Sequence, residues 1–165
     1  LDDAVVPFEI AGLRSDRITR GHRFMGASRI EITRASEYLD KLYDNYVIVD
    51  QEKRKQRMLS GIANLERELG GTVELEPDLV LENLSLVEYP IPFYGTFDES
   101  FLKIPHEVLT TTMKKHQKYF PVRDSNGRLK PFFVGVSNNR ASSMDVVREG
   151  NERVLRARLS DAAFR

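Results

Sequence analysis

The stretch KYFPVRDSNGRLKPFFVGVS, residues 118–137, decides the fold class. Two runs rich in aromatic and β-branched residues, Lys118 to Arg123 and Leu129 to Ser137, flank Asp124-Ser125-Asn126-Gly127. Such side chains suit a pleated surface, and Asp, Asn and Gly supply turn conformations, so the segment reads as an antiparallel β-hairpin. Alternation along the first strand sends Phe120 into the core and Tyr119 the other way, toward the surface.

Helical signals lie on both sides of the hairpin. Pro105 suits a first helical position, and a helix through His116 would turn Val108, Leu109, Thr112 and Met113 inward. Ser142 and Asp145 resemble a capping box opening a last helix, with Val147, Val154, Leu155, Leu159 and Ala162 as its inner stripe. Gly150 within that helix is unfavourable by roughly 1 kcal/mol relative to Ala, which points to a closely approaching backbone.

Farther upstream, Asp50 is a natural N-cap. Met58, Ile62, Leu65 and Leu69 then recur at helical spacing until Gly70-Gly71. Further helices are expected at Ser36–Tyr43 and Asp78–Val87, and strands at Val5–Ile10, Arg20–Met25, Arg29–Thr33, Tyr46–Val49 and Phe93–Phe97. Short strands mixed irregularly with helices indicate the α+β class: a mixed, largely antiparallel sheet with packed helices in a single compact domain.

The chain has 165 residues, 41% of them hydrophobic and 30% charged, with no cysteine. That excludes a disulfide framework, a thiolate metal site and a thiol nucleophile. No apolar run approaches the roughly 20 residues that span a bilayer. No signal peptide opens the chain, and a reducing, cytoplasmic setting is the expectation. A start at Leu1 and a stop inside a helical pattern at Arg165 suggest that residues 1–165 are one domain cut from a longer polypeptide.

A net charge of zero conceals segregation of sign. Between residues 14 and 29 stand Arg14, Arg17, Arg20, Arg23 and Arg29 with His22, against Asp16. Between residues 73 and 88 stand Glu74, Glu76, Asp78, Glu82 and Glu88, with no base. The acidic stretch is expected to face solvent or a protein neighbour. Two further segments crowd positive charge: TTTMKKHQKYFPVR, residues 110–123, and REGNERVLRARLSD, residues 148–161. Cations interleaved with aromatic rings are the footprint of a nucleic-acid surface, since the former meet phosphates and the latter stack on bases. The bland alternative is structural: lysines near a helix C-terminus answer its dipole, and Arg148, Glu152 and Arg156 form a surface ladder.

Self-contained catalysis finds little support. His22, His106 and His116 are not spaced as metal ligands, and none is followed by Asp. No His-Glu-x-x-His, nucleophile elbow, phosphate loop or dinucleotide fingerprint occurs. No catalytic or metal-binding residue is therefore assigned.

The segments RGHRF (20–24), LVEYP (86–90), TTMKKHQKYFPV (111–122), VSN (136–138) and REGNERVLRARL (148–159) span nearly the whole chain. In order and spacing they resemble the beta chain of the bacterial-type heterotetrameric glycyl-tRNA synthetase. The resemblance implies an N-terminal part of that chain, ahead of its His-Asp-type and anticodon-binding domains. It also implies similarity to the editing-type domain of the phenylalanyl-tRNA synthetase beta chain.

In such an enzyme the alpha chain binds glycine and ATP, with magnesium, and forms glycyl-adenylate, while the beta chain recognises tRNA. No cofactor is expected in this segment. The implied partners are the alpha chain, the other beta-chain domains and glycine tRNA. The leading expectation is an accessory tRNA-binding and assembly domain of a glycine–tRNA ligase. Its RNA face is assigned to Arg20, His22, Arg23, Lys114, Lys115, His116, Lys118 and Tyr119, joined by Arg148, Asn151 and Arg153. The alternatives are a pure docking scaffold between subunits or domains, and a domain that hydrolyses mischarged tRNA.

Overall fold

The computed structural model describes residues 2–140 and 144–164. At its centre the hairpin forms as read, with β7 at Phe120–Arg123 and β8 at Leu129–Ser137. The Asp124 carboxylate accepts hydrogen bonds from the amides of Asn126 (2.8 Å) and Arg128 (2.9 Å), and Gly127 takes the positive φ the turn requires. β6, Ile91–Thr96, pairs along its full length with β8, from Ile91 opposite Ser137 to Thr96 opposite Phe132. The short β5, Thr72–Val73, adds to the outer edge of β7, giving an antiparallel sheet of order β5-β7-β8-β6.

Helices cover both faces of this sheet. α2, Gln51–Leu69, starts where the Asp50 carboxylate caps the amides of Glu52 and Lys53, and stops at Gly70 in the left-handed region. With α3, Pro77–Leu86, it packs Met58, Ile62, Leu79 and Leu84 against Phe120 and Val134. On the opposite face lie α4, His106–Thr111, and α5, Met144–Ala163. With Met113 from the turn that follows α4, they pack Leu109, Leu155 and Leu159 against Phe133 and Tyr119. The result is a helix–sheet–helix sandwich, an α+β architecture.

This sandwich corrects the reading of Tyr119. It does point away from Phe120, but a second helical layer waits there, so the ring is buried.

The segment before residue 50 is less regular than expected. Val5–Ile10 contributes only β1, Glu9–Ile10, which pairs with β2, Leu13–Arg14, around Ala11 and Gly12 at positive φ. Arg20–Met25 is a loop rather than a strand. It connects β3, Ile18–Thr19, to β4, Ile30–Glu31, and wraps Asn45 so closely that a Cβ on Gly26 would lie 2.4 Å from the Asn45 carbonyl oxygen. α1 occupies Tyr38–Asp44. Tyr46–Val49 is not a ladder strand; Ile48 is buried, and its amide donates to the Glu88 carbonyl at 3.0 Å.

Two expectations for α5 also change. Val154 is exposed rather than inward, and a Cβ on Gly150 would meet open space. Ser142, and with it the capping box, lies outside the described residues. No described helix is long and apolar enough to cross a membrane.

Candidate nucleic-acid interface

Helix α4 does not end as an α-helix. It widens into a π-helical turn over Thr112–Gln117, and Lys118 then adopts the left-handed conformation, φ 59°, before β7 begins. This turn carries most of the first cationic segment, and its geometry sorts those cations into two groups.

Lys114 faces the sheet edge, with its side chain 15% exposed. Its ammonium pairs with Glu74 and, at 2.6 Å, with Glu76. Arg123 Nε donates to the other oxygen of Glu74 at 2.7 Å, and Lys118 meets Glu82 at 2.5 Å. The cause is β5: its pairing with β7 lays the acidic stretch beside the basic one. Partial burial works against the Glu74 charge, but hydrogen bonds from Lys114 and Arg123 outweigh it and hold the carboxyl below its usual range. Burial likewise opposes the Lys114 charge, and the two carboxylates outweigh it and raise its pKa. Glu74, Glu76 and Glu82 therefore answer the chain's own cations, while Glu76, Asp78, Glu82 and Glu88 also stay exposed to solvent, as expected. Lys115 and His116, one step along the turn, are exposed and have no ion-pair partner among the described residues.

Tyr119 stacks on Phe133 with ring centroids 4.4 Å apart, and its hydroxyl donates to the Asn151 side-chain carbonyl. Burial pushes the phenol up to about 12. The Asn151 amide nitrogen donates to the Val147 carbonyl at 2.6 Å, so both ends of this side chain are engaged internally. Neither Tyr119 nor Asn151 is available to stack on or bind an RNA at the surface.

Among the remaining assignments, Arg148 pairs with Asp145 and lies 5.4 Å from the Tyr94 ring centroid. Arg153 is exposed and unpaired among the described residues. His22 is 1% exposed; its Nδ1 accepts from the Phe24 amide at 3.2 Å, and its Nε2 lies 3.8 Å from the Glu88 carboxylate without a hydrogen bond. Arg20 and Arg23 flank it on the outside of the loop, with the Arg23 guanidinium 5.6 Å from the Phe24 ring centroid.

The expected RNA face thus divides. Arg20, Arg23, Lys115, His116 and Arg153 are presented outward, whereas His22, Lys114, Lys118, Tyr119, Arg148 and Asn151 hold the fold together or are paired. Sequence reasoning also missed Arg57, whose guanidinium stacks 3.9 Å over Tyr89 with its Nε unpartnered among the described residues. Its helical spacing from basic Arg54 was the available signal. Among the described residues no group of His, Asp and Glu is placed to hold a metal ion.

The family model described as "Glycyl-tRNA synthetase beta subunit" matches residues 1–165. The chain is 48% identical over 162 residues to the glycine–tRNA ligase beta subunit of Desulforudis audaxviator, which covers 98% of this chain and 24% of that protein. The Clostridioides difficile relative of the same name is 46% identical over 164 residues, 99% of this chain and 24% of its own length. The Bacillus subtilis relative is 46% identical over 160 residues, 97% of this chain and 23% of its own. The chain thus spans about a quarter of the curated relatives it matches.

Proposed function

This chain belongs to the glycyl-tRNA synthetase beta subunit family, and from that membership we propose that it is an accessory tRNA-binding and assembly domain of a glycine–tRNA ligase. In this reading it is part of a longer beta chain in a cytoplasmic heterotetramer. Glycine, ATP and magnesium are handled by the alpha chain, and this segment holds RNA without an active site of its own.

One observation carries the RNA role. After the internal ion pairs are formed, Lys115 and Arg153 remain outward with no ion-pair partner among the described residues, and His116 is exposed beside Lys115, on a π turn and a helix that pack against each other. Neutralising phosphates with such groups releases condensed counterions, and each contact adds roughly 0.7–0.9 to the slope of log affinity against log salt. Filter binding of glycine tRNA to the assembled ligase across a salt series tests this. Replacing Lys115, His116 and Arg153 by Ala should weaken binding and flatten the slope, and an unchanged slope would exclude these groups.

A second reading, a docking surface for the alpha chain or other beta-chain domains, draws support from the N-terminal hairpin. Val6, Phe8, Ile10 and Leu13 all project outward there. Crosslinking the ligase with and without tRNA separates the roles: protein crosslinks to residues 5–14 that persist without tRNA favour docking.

A further inference from the structure

Where the C-terminal end of α3, the π turn, the end of β8 and the start of α5 converge, a cavity of about 290 Å³ opens. Its apolar walls include Leu86, Val87, Phe93, Val136 and Val147. Besides Lys118 and the internally engaged Tyr119, Ser137 and Asn151, its polar groups are amides. Asn83, 4% exposed, donates through Nδ2 to the carbonyls of Leu79 (2.9 Å) and Lys118 (3.1 Å), and its Oδ1 receives no hydrogen bond among the described residues. Asn138 is engaged the other way round. Its Oδ1 accepts from the amides of Glu88 (2.7 Å) and Tyr89 (3.3 Å), leaving Nδ2 without an acceptor among the described residues. The Gln117 amide has no side-chain partner among them. The only charged side chain in the lining, Lys118, is neutralised by Glu82.

We propose that this cavity receives the base of an unpaired nucleotide of RNA. The proposal rests on the tRNA-binding reading above and names the part of the ligand taken at this end of that surface. A lining without free charge disfavours a phosphate or a zwitterion, whose desolvation it could not offset. An open acceptor, an open donor and a free primary amide match a base edge, and the flat faces of a base fit apolar walls. Backbone phosphates of a base so held would remain at the rim, where Lys115 and His116 directly precede Gln117. The π turn places that rim, and π-helical turns recur at functional sites. The left-handed Lys118 is part of the same device, because its carbonyl fixes the Asn83 amide so that Oδ1 is the atom left open.

The test uses the full-length chain that carries this segment and a short single-stranded RNA containing one 4-thiouridine, with photocrosslinks mapped by peptide mass spectrometry and affinity read by fluorescence anisotropy. Asn138→Asp keeps the oxygen that the Glu88 and Tyr89 amides need and replaces the open donor. Gln117→Leu removes the free amide at an independent position. Crosslinks should fall at residues 117–119 or 136–138. Both variants should lower crosslink yield and weaken binding by about tenfold, the range expected for losing one well-held base, and Gln117→Leu, which changes no charge, should do so with the salt slope unchanged. Wild-type yield and affinity in both variants, or crosslinks confined to the rest of the chain, would overturn the proposal. If the pocket variants bind normally while Lys115→Ala with His116→Ala flattens the salt slope, the cavity reading falls and the RNA surface stands. RNA binding that is indifferent to all of these changes removes both. Displacement of the RNA by micromolar adenosine monophosphate would instead assign the cavity to a free nucleotide and overturn the RNA source.

Discussion

The Tyr119 phenol, wedged between Phe133 and Asn151, gives up solvent for one hydrogen bond and a ring stack. Burial raises its pKa from 10.0 to about 12, so the fold favours the neutral form. That contribution is complete below the unfolded value and is lost as pH climbs through the folded one. Tyr119→Phe should lower stability near neutrality by about 1 kcal/mol, because the Asn151 oxygen loses its donor. Urea midpoints of wild type and variant should converge between pH 10 and about 12. A constant gap over that interval would show that the phenol does not titrate with folding.

Glu74 works at the other end of the scale. Its lowered pKa contributes stability above the ordinary carboxylate range, and this is lost as pH falls through the acid region. Lys114→Ala should reduce stability by about 2 kcal/mol and flatten that acid limb, as a hydrogen bond to a charged partner disappears. It should leave the salt slope of tRNA binding unaltered, since Lys114 is already engaged by Glu74 and Glu76.

Two glycines measure how α5 sits on the sheet. The close approach that the sequence suggested for Gly150 belongs instead to Gly95 on β6. A Cβ there would lie 2.3 Å from Phe133 Cζ and 3.1 Å from Glu152 Cγ on α5. Glu152 fastens the two elements, accepting from the Thr96 amide at 2.7 Å and its hydroxyl at 2.9 Å. Gly95→Ala should therefore destabilise by about 2–3 kcal/mol through overpacking. Gly150→Ala, in open space on a helix, should stabilise by about 1 kcal/mol. Thermal melts of the two variants should move in opposite directions. A drop for Gly150→Ala would mean that another chain or domain approaches this helix face in the assembled protein.

The molecule as a whole buries its four-stranded sheet on both faces and leaves its irregular N-terminal part rich in exposed apolar side chains. Ile10 and Leu13 are 67% and 76% exposed, so carboxylates there remove nothing from the core. Ile10→Glu with Leu13→Glu should leave the melting temperature of the beta chain almost unchanged, as surface substitutions usually do. The pair should lower the yield of assembled ligase on size exclusion if the hairpin docks a partner. Full assembly at wild-type yield would remove the docking role.

Much of this architecture was legible in the chain itself. The hairpin, the Asp50-capped helix, α3 and β6 follow from local rules of period, cap and turn, which act over a few residues and need no partner. The family resemblance was likewise written in contiguous words such as TTMKKHQKYFPV. The destination of each charge was not legible. Whether Lys114 meets a phosphate or Glu74 depends on β5, a two-residue strand too short to announce itself by alternation. Whether Tyr119 meets solvent or α5 depends on a helix that begins some 25 residues later and covers the second face of the sheet. Residue type and spacing settle what the long, regular segments become, but not Arg20–Met25 or Tyr46–Val49, which read as strands and form none. Only long-range packing settles what each side chain faces, because burial and ion pairing are properties of surfaces brought together from distant parts of the chain.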